Sequence, residues 1–204
     1  SSQGPYWRQF NRALVKVRDA EGNLHSARVL LDNASTSNIV TEEFAQKLQL
    51  TTYSTKSKVV GINILSSNCA KGCSISLRSN SGDYKIDIQC LILPKISSYI
   101  PNTHVDISNL TTPSNIRLAD PQFYVPSSID ILVGAAVFWS IVGNSRIELG
   151  KHMPILLESK LGWLVSGEIN QSRSSSHVCM LVDSLHTDLN RFWELDTIST
   201  KHKF

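Results

Sequence analysis

Apolar and polar residues alternate along Arg12-Ala-Leu-Val-Lys-Val17 with the two-residue period of a half-buried strand, which predicts a strand there. Glu21-Gly-Asn reads as a hairpin turn, and Leu24 to Leu31 returns as a second strand that delivers Asp32 at its end. Thr41-Glu-Glu-Phe-Ala-Gln-Lys-Leu-Gln-Leu50 is expected to be a short helix, with Thr41 as N-cap and two acids in the first turn, where the helix dipole favours them. Further strands are expected at Ser57 to Ile62, Cys69 to Arg78 and Tyr84 to Leu93. From Pro94 to Ser128 the chain is rich in Pro, Ser, Asn and Thr, which punctuate regular elements, and it reads as an insertion. Ile131 to Gly134 is an apolar strand closing on glycine. Ala135 to Ile141 should be a helix, and Arg146 to Leu149 and Pro154 to Glu158 short strands before Leu161-Gly-Trp-Leu-Val-Ser166. Gly167 is a plausible domain end. Asn170 to His177 then reads as a polar linker, and Met180 to Leu195 as a helical tail with Phe192 and Trp193.

Composition narrows the class. A chain of 204 residues is long enough for one domain with a full core, and one domain plus tails is expected. The 41% apolar and 18% charged shares are those of a globular protein. A net charge of +3 and a pI near 8.7 are too mildly basic to argue nucleic-acid binding, and the lysines at 56, 58, 71, 201 and 203 are scattered. The longest apolar run, Ile131 to Val142, falls short of the roughly 20 residues that span a bilayer, so no membrane helix is expected. The first residues lack the basic and apolar regions of a signal peptide and a starting Met, so an intracellular, cytoplasmic address and excision from a longer chain are the expectations. Asn33, Asn109 and Asn170 head glycosylation sequons, but a glycan on Asn33 would block the loop described next.

Cys69, Cys73, Cys90 and Cys179 are expected as reduced thiols, since a domain of this size needs no staples. Cys69, Cys73 and Cys90 with a histidine could in principle bind zinc, but the spacing fits no ligand pattern, and neither metal nor cofactor is expected. The six histidines show no paired metal spacing, Ser35 and Ser166 lack a readable His partner, and no glycine-rich phosphate loop occurs. Trp139 and Trp163 are expected in the core.

The chemistry concentrates in Ala27-Arg-Val-Leu-Leu-Asp32-Asn-Ala-Ser-Thr-Ser-Asn-Ile-Val40, where an apolar strand runs into an acid, then small polar residues, then apolar residues again. Small residues let the backbone crowd around a carboxylate, as an acid requires if it is to share a proton with a second acid. The ordinary alternative is a hydrophobic strand ending in an Asp turn. A second segment, Ser128-Ile-Asp-Ile-Leu-Val-Gly134-Ala-Ala-Val-Phe-Trp139, carries an apolar strand through glycine into an apolar helix.

Together the two segments outline a retropepsin-type aspartic protease. With Arg12 to Leu24, Leu93 to Pro101, Leu118-Ala-Asp-Pro121, Leu161 to Gly167 and Arg191-Phe-Trp-Glu-Leu195, the chain resembles the protease region of Bel/Pao-type LTR-retrotransposon polyproteins. The resemblance covers most of the chain in the right order. It implies a mainly β, closed acid-protease barrel with one or two short helices over residues 12–168, with 94–128 inserted, a flank at 1–11, and a linker and helical tail at 169–204 leading toward reverse transcriptase. It implies Asp32 as the catalytic acid, Asn33, Ala34 and Ser35 as the catalytic loop, and Ile131, Leu132, Val133 and Gly134 passing behind it. Gly61, Ile62 and Asn63 occupy the place of the substrate-closing flap, or are an ordinary connection.

An aspartic protease needs two carboxylates about 3 Å apart sharing one proton. Only Asp32 stands in such a context: Asp183 has Leu185 where a small residue belongs, and Asp130 precedes its apolar strand. The second acid is therefore expected from a second copy of the chain, and the substrate from a polyprotein peptide. Two departures stand at the site. Asp32-Asn33-Ala34 replaces the family's Asp-Ser/Thr-Gly, and Ala136 stands where an acid is usual. The alternative expectation is a catalytically inactive retropepsin fold kept for dimerisation or peptide binding.

Overall fold

The computed structural model describes residues 11–61, 64–151 and 153–167, with 57–61 and 64–70 described by their backbone alone. The order is β1 (Arg12–Arg18), β2 (Leu24–Leu31), β3 (Ile39–Thr41), α1 (Glu42–Lys47), β4 (Thr52–Gly61), β5 (Ile64–Ser79), β6 (Lys85–Leu93), β7 (Ile131–Val133), α2 (Ala135–Ile141), β8 (Val142–Glu148), β9 (Ile155–Ser159) and β10 (Leu164–Ser166). The protein is mainly β, with two short helices. The helical tail expected at 180–195 and residues 1–10 of the flank lie outside the described residues.

Six strands close into a barrel in the order β1-β2-β7-β3-β6-β5, with β5 returning to pair antiparallel with β1. Alternation along the strands explains the closure. Ala13, Val15 and Val17 of β1, and Ala27, Val29 and Leu31 of β2, all turn into one buried cluster with Cys73, Ile75, Leu77, Ile88 and Cys90. β7 differs because it is buried on both faces: Ile131 and Val133 enter that interior, whereas Leu132 packs outside it with Leu30, Ile39, Leu93 and Ile129. An unbroken apolar run is the signature of such a strand. β7 runs parallel to β2 and antiparallel to β3, so it threads between the two strands that flank the Asp32 loop.

β4 and β5 form a long hairpin. Gly72 to Arg78 of β5 pair with β6 inside the barrel wall, while Ile64 to Lys71 have their ladder with β4. The Ile64 to Lys71 stretch amounts to roughly 25 Å of strand at about 3.3 Å per residue. α1 starts on Thr41, whose hydroxyl accepts from Phe44 N at 3.3 Å, and it buries Phe44 and Ala45.

Two expectations are corrected. The barrel does not extend to residue 167: β8, β9 and β10 form a separate three-stranded sheet. That sheet and the 94–128 insertion share a second core, with Leu156 and Val165 against Val105 and Phe123, and Trp163 partly buried beside them. Trp139 is not in the core; it is 66% exposed. On the seven-residue α2 the buried positions are Phe138 and Ile141, so its neighbour Trp139 is turned outward. The insertion is locked down by Arg12, which is fully buried with Asp120. The guanidinium donates from Nε at 3.0 Å and Nη2 at 2.6 Å to Asp120 Oδ2, from Nη2 to Gln122 O at 2.9 Å, and from Nη1 to Val125 O at 3.2 Å and to Ile100 O. All the donors of the guanidinium are engaged, which is what allows the charge to be buried. Among the described residues no helix is long and apolar enough to cross a membrane.

Candidate functional site

Asp32 leaves β2 at the point where the strand lies beside β7. Its backbone N–H donates to Val133 O at 2.9 Å, continuing the parallel ladder one residue past the strand. The side chain is partly exposed, and its Oδ1 accepts from Ala34 N at 2.9 Å, a short Asx-type closure that folds the loop back over the carboxylate. Asn33 and Ala34 are exposed at the loop tip. Among the described residues, no hydrogen bond or ion pair joins Asp32 to another acid.

Asp130, the other acid near β7, sits at the opposite end of the pairing. Its Oδ2 accepts from Arg28 N at 2.8 Å, four residues back along β2, or about 13 Å of strand from Asp32. Burial pushes its carboxyl above the ordinary carboxylate range, opposed by the Arg28 backbone hydrogen bond and the Arg28 charge. It supports β7 and does not meet Asp32.

The loop is fixed from behind by the end of β7. Gly134 N donates to Asn38 Oδ1 at 2.9 Å and Ala135 N donates to Ser35 O at 2.8 Å, so the loop and the start of α2 are bonded on both sides of Gly134. Ser35 Oγ donates to Ser37 O at 2.9 Å. A Cβ at position 134 would stand 2.8 Å from both Ser35 O and Ser37 O, so the close approach of two backbones is what requires glycine here. Ile131, Leu132, Val133 and Gly134 are thus brought together with Asp32, Asn33, Ala34 and Ser35.

Asn38 did not stand out in the sequence. Its Nδ2 also donates to Gln89 O at 3.1 Å, so one side chain stitches β6, the loop and the end of β7. The only sequence signal was a side chain able to donate and accept at once, just before the apolar Ile39-Val40. Of the expected flap residues, Gly61 ends β4 paired with Ile64 of β5, and Ile62 and Asn63 lie outside the described residues.

Among the described non-glycine residues only Gln49 has a positive φ, so Ala34 occupies a backbone conformation open to any L-residue. Cys73 and Cys90 face each other across β5 and β6, both buried and unbridged. Burial pushes the Cys73 thiol up to about 11 and the Cys90 thiol higher still, which makes them packing groups and not nucleophiles. Among the described residues no group of three or more His, Cys, Asp or Glu could hold a metal ion. The chain matches no protein-family model and no curated protein.

Proposed function

We propose that the chain is a retropepsin-like aspartic peptidase domain of the Bel/Pao retrotransposon type, hydrolysing peptide bonds of a polyprotein as a homodimer. The observation that carries this reading is the threading of β7 between β2 and β3, with Gly134 wedged under the loop that presents a partly exposed Asp32. A carboxylate held by one backbone donor, the Ala34 N–H, with no acid bonded to it among the described residues, is suited to meet its symmetry mate across a two-fold axis. In that dimer the two Asp32 carboxylates share one proton, because two like charges about 3 Å apart cannot both ionise. One takes a proton from the attacking water and the other gives one to the peptide carbonyl oxygen, and the pair titrates as a unit. The β4–β5 arm serves as the flap that closes over an extended substrate.

A second reading, a retropepsin fold kept for dimerisation or peptide binding without catalysis, is favoured by Asn33 and Ala34. Asn33 is longer than the usual hydroxyl residue, and Ala34 adds a methyl at an exposed position of the loop. The test is incubation of the purified protein with its flanking polyprotein at mildly acidic pH, with and without an aspartic-protease inhibitor. Cleavage that is inhibitor-sensitive and lost in Asp32→Asn supports the peptidase. No cleavage by wild type, with cleavage gained in Asn33→Ser/Ala34→Gly, supports the silent module. Equal cleavage by wild type and Asp32→Asn refutes both.

A further inference from the structure

Beside the Asp32 loop lies an open recess of about 240 Å³ lined by Thr36, Ser37, Asn38, Tyr53, Gln89, Cys90 and Leu91. Three elements build it: the second half of the loop, the root of the β4–β5 arm and the middle of β6. Tyr53 lies across Gly72, where an added Cβ would fall 2.6 Å from its ring, and its hydroxyl donates to Gln89 Oε1 at 3.0 Å. That bond fixes the Gln89 amide and leaves its Nε2 hydrogens without a partner among the described residues. The hydroxyls of Thr36 and Ser37 have no hydrogen bond there either. None of the lining residues is an acid, a lysine, an arginine or a histidine.

We propose that this recess is a subsite that takes the primary amide of an asparagine or glutamine side chain from an extended peptide crossing the Asp32 loop. An amide brings two donors and one acceptor, which the hydroxyls of Thr36 and Ser37 and the Gln89 Nε2 complement; a carboxylate finds no cation there, and an ammonium finds no anion. The inference rests on the peptidase reading and adds a specificity determinant to it, Gln89, whose side chain is exposed and whose backbone carbonyl goes on accepting from Asn38 in any variant.

The test is a peptide series varied one position at a time through Gln, Leu, Glu and Lys, cleaved by wild type, Gln89→Leu and Gln89→Glu. Wild type is expected to prefer Gln over Leu at one position by about fivefold in kcat/KM, the worth of roughly one net hydrogen bond. Gln89→Leu loses that preference, and Gln89→Glu shifts it toward Lys. The same profile in all three proteins overturns the proposal while leaving the peptidase reading standing. If wild type cleaves nothing, that reading fails instead, and the recess is judged by binding: the Gln89 side-chain amide resonances of the intact protein should shift with the Gln peptide and not with its Leu counterpart. Equal shifts with both, or with neither, overturn it.

Discussion

Replacing Gly134 with alanine tests the central geometry of the site without touching the acid. The new Cβ would lie 2.8 Å from Ser35 O, 2.8 Å from Ser37 O and 3.1 Å from Ser37 C, far inside the roughly 3.5 Å at which such atoms attract. Neither oxygen can simply swing away, since Ser35 O accepts from Ala135 N at 2.8 Å and Ser37 O accepts from Ser35 Oγ at 2.9 Å. The loop must therefore move as a unit, at a cost of about 1–3 kcal/mol for overpacking and about 1 kcal/mol if the Gly134 N to Asn38 Oδ1 bond is lost. Reduced freedom of the unfolded chain offsets about 0.4–1 kcal/mol of this. A net loss of about 1–3 kcal/mol is expected, read as a lower guanidinium midpoint at unchanged m-value. Gly82→Ala is the reference, because a Cβ there meets nothing within 4 Å, and its change should stay within about 0.5 kcal/mol. Equal midpoints for the two variants would refute the claim that the loop rests directly on the end of β7.

Asp120→Ala should destabilise the fold by about 3–5 kcal/mol, because it strands the buried Arg12 guanidinium and removes an acceptor from Arg28 Nε at 3.1 Å as well; a thermal-denaturation loss below about 1 kcal/mol would mean that the insertion is not held by this pair. Asp19, bonded to His25 at 2.7 Å and to the Glu21 and Asn23 backbone, is held down to about 2, chiefly by the His25 hydrogen bond. Its folded value is below the ordinary carboxylate value, so the stability it lends is present above that value and is lost as pH falls through about 2. A carbon-detected titration should show this midpoint, and His25→Ala should raise it; an ordinary midpoint in wild type would contradict the hairpin geometry.

What could be read in the sequence was whatever has a local period or a local partner. β1, β2 and β7 announce themselves by alternation or by an unbroken apolar run, and Thr41 caps its helix through the Phe44 N–H three residues on. β3 escaped because three residues carry no period, and the start of β8 because Gly143-Asn144-Ser145 is polar and exposed. Arg12 with Asp120, and Asn38 with Gly134, are 108 and 96 residues apart, and nothing local in either member names the other. The departures at the loop were legible as letters but not as physics. Backbone geometry separates their effects: Ala34 needs no left-handed conformation and is exposed, so its methyl costs the single chain little. If the proposed homodimer forms, any penalty it carries arises where the second loop approaches. It follows that Ala34→Gly should leave the stability of the isolated chain nearly unchanged, or slightly lower it through the unfolded state, and act instead on dimerisation and cleavage. On the proposed homodimer, the cost of departing from the usual loop sequence would be a property of the assembled pair, which is where Asp32 would acquire its chemistry.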